Sequence, residues 1–203
     1  MFFTEQEFTK QDIIEKIKNK ECDFMYPADI SDILQEVYEP KLEDYLMERF
    51  DEAEWDKSVW NNFRPLEKFL ENYYGLAIAE NNELKLLPFV LNIKNLTYQE
   101  ACSPLNLEIF NKCELVTFDD FETLVQPYLD DIEISWSVGH LVELWDEDDR
   151  YHGTEWQRSS GTEHMLRDFT ANEVLEQIYL PETHGLPEGS ELRLVGKPQC
   201  LTL

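Results

Sequence analysis

A chain of 203 residues with 42% hydrophobic and 13% aromatic residues can bury a sizeable core, which excludes global disorder even at a formal net charge of −26. That charge opposes direct binding to nucleic acid or to an anionic membrane surface, since both would repel it. It suits a cationic partner, or solubility alone.

In chain order, Thr9 to Asp12 reads as a helix start, with Ile13, Ile14 and Ile17 following on one face. Asp29 or Ser31 starts a second helix through Ile33, Leu34 and Val37. Pro40 suits the first turn of a third, carrying Leu42, Tyr45, Leu46, Arg49 and Phe50 toward Trp55. Ser58 opens a further helical segment with Val59, Trp60 and Phe63. It restarts at Pro65 and continues through Leu66, Phe69, Leu70 and Tyr73 until Gly75 caps it. These aromatics read as core. Residues 76–79 and 84–87 then flank Asn81 and Asn82 as a short hairpin, and the apolar run 88–93 suits a buried strand. Thr97 with Glu100, Thr117 with Asp120 and Thr170 with Glu173 have capping-box spacing. Ser103-Pro104 starts another helical pattern, and Pro127 ends or bends the one that begins at Thr117.

The longest period of two lies at 132–145, where Ile132, Ile134, Trp136, Val138, His140, Val142 and Leu144 share one face of a strand. A straight strand of that length would exceed roughly 40 Å, so a bend or bulge is expected at Gly139. Asp146, Glu147, Asp148 and Asp149 form a polar turn, residues 151–158 return as the partner strand, and 159–162 reads as a loop. A helix from Thr170 closes before Pro181, ahead of a turn-rich stretch at 183–189 and a final strand near 192–195.

The expected fold class is α+β. Residues 1–130 are mainly helical with a small hairpin near 76–94. Residues 131–203 form a mixed part with the long antiparallel hairpin, a helix and the final strand. The start lacks the basic and apolar regions of a secretory signal, and no apolar run is long enough to span a membrane. Cys22, Cys102, Cys113 and Cys200 follow no framework and suit free thiols in a reducing cytoplasm.

Chemistry is sparsely signalled. Walker A, dinucleotide-glycine and GxSxG patterns are absent, and no cofactor is assigned. His140, His152 and His164 are evenly spaced near Asp146, Asp148 and Asp149, which admits a metal-dependent hydrolase centred on the 140–152 hairpin as an alternative, although HExxH and calcium-loop spacing are missing. Cys102 and Cys113 read as buried thiols before they read as nucleophiles.

The charge distribution says more. From Glu108 to Asp149 thirteen carboxylates face a single base, Lys112. Rows of carboxylates can imitate the field of a nucleic acid, whose duplex carries one charge per roughly 1.7 Å. The leading expectation is a cytoplasmic binding protein, not an enzyme, that inhibits a basic and nucleic-acid-processing protein in the manner of DNA mimics, anti-defence or immunity proteins. The expected partner-binding residues are Asp119, Asp120, Glu122, Asp130, Asp131, Asp146, Glu147, Asp148 and Asp149. An acidic structural or adaptor protein is the remaining alternative.

Overall fold

The computed structural model describes residues 3–4, 7–50, 55–80 and 83–179. Helix α1 (Lys10–Asn19) begins where the capping pattern puts it: Thr9 Oγ1 accepts from the Asp12 N–H, and the Asp12 carboxylate accepts from the Thr9 N–H at 2.7 Å. Strand β1 (Cys22–Met25) follows. Helix α2 (Ile30–Met47) runs through Pro40, so the expected second and third helices are one. Pro40 cannot donate to the Glu36 carbonyl, but both residues face solvent, where water can replace the lost bond. On the opposite side Ile30, Leu34, Tyr38, Leu42 and Leu46 are all buried, and that burial outweighs a proline penalty of roughly 3 kcal/mol.

Residues Trp55–Asn61 form strand β2, although a helix is expected from Ser58. So short a segment does not decide between the two periods, and the tertiary partner decides it. Helix α3 (Arg64–Leu70) carries Pro65 in its first turn, and the chain then enters β3 (Tyr73–Glu80). Gly75 therefore lies inside a strand and caps no helix. It sits beside a register shift, where an added Cβ would stand 3.0 Å from the side chains of Leu86 and Tyr179. β3 pairs with β4 (Glu83–Asn92) as the expected hairpin, whose turn at 81–82 lies outside the described residues.

The first sheet has the antiparallel order β1-β3-β4-β5, with β5 at Glu114–Thr117. Alternation along β4 sends Leu86 and Val90 to one core cluster and Leu87 and Leu91 to the other, which explains its continuous apolar run. One face is covered by α1 and the short helices α4 (Tyr98–Ala101) and α5 (Leu107–Phe110). Asn106, not Ser103, caps α5. The other face packs against α2, α6 (Phe118–Asp130) and α7 (Ala171–Ile178). Pro127 lies inside α6 without ending it.

The second sheet has the order β2-β6-β7, with β6 at Ile134–Trp145 and β7 at Tyr151–Glu163. Its base enters the same cluster as α2, α6 and α7 through Ile134, Trp136 and Val138, so that cluster holds residues from both sides of position 130. Residues 159–162 are strand, not loop, because β6 extends far enough to pair with them. Gly139 pairs in register with Arg158, and the bulge falls between Leu144 and Trp145. Gly139 and Gly161 instead seat indoles. An added Cβ would stand 2.5 Å from Trp156 Nε1 at the first and 2.5 Å from Trp136 Cζ2 at the second. A 3-10 helix (Met165–Asp168) leads to α7, whose Thr170–Glu173 capping box is present. The structure is α+β. The stretch 183–189, the strand near 192–195 and Cys200 lie outside the described residues.

Candidate functional site

Among the described residues, β2 pairs with β6 as far as the Trp55–His140 pair. Beyond it, among the described residues, β6 and β7 continue as a ribbon of two strands that contributes no buried side chain to the core. The face of the second sheet away from the core carries Trp60 and Ser58 from β2, Ser135, Ser137, Gly139 and Leu141 from β6, and Trp156, Arg158 and Ser160 from β7, as pairing and alternation require. Trp60, Trp145, Tyr151 and Trp156 are 66%, 57%, 53% and 47% exposed, and Leu141 and Leu144 are also exposed. Trp145 belongs to this outer face, because its Nε1 donates to Glu143 Oε2 at 3.2 Å and its ring lies 5.3 Å from that of Tyr151. Bulky aromatics in this setting are unusual for a surface with no partner.

The tip is built on Asp146. Its Oδ1 accepts from the N–H groups of Asp148 and Arg150 at 2.9 Å each, and its Oδ2 lies 2.8 Å from His152 Nε2. Arg150 Nη2 donates to Asp148 Oδ2 at 2.5 Å. Asp149 has a φ of 54°, a left-handed turn conformation that aspartate and asparagine tolerate. Two of the four tip acids are thus engaged within the turn, while Glu147 and Asp149 make no ion pair among the described residues.

The Asp146 carboxyl is held below the usual carboxylate range, first by the Arg150 N–H, then by His152 and the Asp148 N–H. A pKa lowered by folding stabilises the turn fully above the unfolded value of about 3.9, and that contribution is lost as pH falls through the folded value. In an NMR titration the Asp146 carboxyl carbon is therefore expected to titrate below the free-aspartate range. A midpoint at or above that range would reject its role in closing the tip.

The other expected partner-binding residues stand elsewhere. Asp119 and Asp120 are exposed in the first turn of α6, where Asp120 bonds Thr117. Glu122 accepts from the Asn172 N–H at 3.2 Å, and Asp130 accepts from Gln126 at 2.9 Å. A shallow groove lined by Glu122, Thr123, Gln126, Pro127 and Asp130 consequently has its acids already bonded within the fold. Asp131 is exposed at the end of α6. The length of β6 separates Asp130 and Asp131, which stand just before it, from the tip by roughly 35 Å. The nine acids thus make two surfaces, one on α6 and one at the hairpin end. Sequence reading passes over the aromatics between them, because a tryptophan in an alternating strand reads equally well as core.

The histidines do not converge. His140 packs beside Phe50 with ring centroids 5.8 Å apart, His152 serves the tip, and His164 lies 3.7 Å from Glu133. The Nδ1 atoms of His140 and His164 are buried without a hydrogen-bond partner among the described residues. Among the described residues no group of three or more histidine, cysteine, aspartate or glutamate side chains is arranged to hold a metal ion. Burial pushes the Cys22 thiol up to about 12 and the Cys113 thiol up to about 11, values that suit packing and not nucleophilic attack. Cys102 is disulfide-bonded, which corrects the expectation of four free thiols. Among the described residues no helix is long and apolar enough to cross a membrane.

Comparison with protein-family models, with curated proteins and with solved structures finds no match.

Proposed function

We propose that the protein binds and inhibits a basic protein, one that itself acts on nucleic acid, through the distal hairpin. The observation that carries this reading is the exposed outer face of the ribbon, where Trp145, Tyr151, Trp156 and Leu141 lead up to an acidic tip. An aromatic centre with a charged rim is the usual anatomy of a protein interface. The acids select a cationic surface and speed the encounter, while the rings supply the lasting contacts. The acids of α6 add a second acidic surface. The hydrolase alternative gains nothing from the three separated histidines.

A pull-down from lysate at low and at moderately high salt tests this. One dominant basic protein is expected, displaced by added DNA or RNA if the hairpin occupies a nucleic-acid site. Glu147→Gln with Asp149→Asn is expected to slow association several-fold at low salt and to have little effect at high salt, leaving Asp146 to hold the turn. Recovery of diffuse basic proteins that all wash off with salt would reject the reading and leave acidity as a solubility device.

A further inference from the structure

We infer that the outer edge of β7 accepts an extended cationic segment of the partner as a fourth strand of the second sheet. The inference rests on the partner reading above and names the element of the partner that is recognised. Among the described residues four strands border the two sheets. β1, β5 and β2 have four, four and seven residues, short as protected edges are, whereas β7 has thirteen. β7 pairs with β6 in unbroken register from Gly153 to Glu163, and no residue pairs with its other side among the described residues. It carries neither the proline nor the lysine that commonly blunts an exposed edge. An antiparallel edge turns the N–H and C=O of every second residue outward, so this run leaves roughly ten backbone groups open to an incoming strand.

Charge selects the occupant. Glu143 and Glu155 are exposed along the distal half of the ribbon, and Glu147 and Asp149 stand at its end. A lysine or arginine of the added strand placed opposite Glu155 would meet it across the pair, where opposite charges stabilise and like charges destabilise, and further cations at the tip end would face Glu147 and Asp149. A second copy of this chain would bring another −26 to the same edge, and nucleic acid would bring more negative charge still. The exposed rings of Tyr151 and Trp156 lie on the same strand, and the aliphatic stems and charged heads of basic side chains pack well on such rings. Arg158, toward the base, confines the cationic part of the segment to the tip half.

The probe is a twelve-residue acetylated and amidated peptide of alternating lysine and threonine, added to the whole protein. At saturation it is expected to slow hydrogen exchange of every second backbone amide in the tip half of β7, between Gly153 and Gln157, by tenfold or more, leaving the β1 edge unchanged. The same peptide methylated on every backbone nitrogen keeps its charge but cannot donate, and is expected to bind at least tenfold more weakly. Equal binding by both peptides, or binding without alternating protection, would reject strand addition and leave charge attraction to the partner. Failure of the unmethylated peptide to bind, while the pull-down yields a basic partner, would overturn the edge alone. Failure of both experiments would remove the partner reading as well.

Discussion

Trp136→Ala is expected to lower the free energy of unfolding by about 3–5 kcal/mol, the range for removing a large buried aromatic. Trp136 is 4% exposed, with Tyr45 and Phe50 of the α2 region 6.3 and 5.6 Å away between ring centroids, and it stands directly across from Gly161. With Ile134 and Val138 it thus docks the second sheet on the helical layer. Its Nε1 is buried without a hydrogen-bond partner, so Trp136→Phe removes volume but also an unsatisfied donor, and should cost clearly less than alanine. Gly161→Ala is expected to cost about 1–3 kcal/mol, because the new Cβ overlaps the indole. The double variant Trp136→Ala/Gly161→Ala should be less destabilised than the sum, since the added methyl then enters the space left behind. Urea titrations of the four variants measure all of this. An unchanged midpoint for Trp136→Ala would mean that the sheet is not docked through this residue.

Trp156→Ala is expected to weaken the proposed complex by about 2 kcal/mol or more, roughly thirtyfold in Kd, as for a central interface aromatic. The same change should lower stability by no more than about 1 kcal/mol, because the ring is 47% exposed and lies on the side away from the core. Gly139→Ala provides a second route to the same test. Its Cβ would stand 2.5 Å from Trp156 Nε1, so the indole must swing away while the tryptophan remains present. Affinity should fall with Gly139→Ala and dissociation should quicken, whereas Glu147→Gln with Asp149→Asn should act on the association rate. Surface plasmon resonance against the captured partner separates the two effects. Full affinity in both Trp156→Ala and Gly139→Ala would place the interface elsewhere.

Local sequence by itself determined the helix starts at Thr9, Thr97, Thr117 and Thr170, because each cap is a bond between a threonine and a backbone only three residues away. It determined the 132–145 alternation and the acidic turn as well, since a period of two over so many residues admits one reading. Tertiary structure decided what local signals leave open. Pro40 stays within α2 because the buried stripe of that helix continues past it on the far side from solvent. Residues 55–61 are strand because β6 offers them a partner, and 159–162 are strand because β6 is long enough to reach them. Gly139 looks like a place for a bend and Gly161 like part of a loop, yet each makes room for an indole from a neighbouring strand, a contact that no local pattern encodes. The candidate site follows the same division. The carboxylates were legible as composition, but which of them are bonded within the fold, and that β6 holds two groups of them apart, depends on the register of the second sheet. Alternation assigns side chains to two faces; only packing against α2, α6 and α7 decides which face, and which half of the hairpin, is left to water.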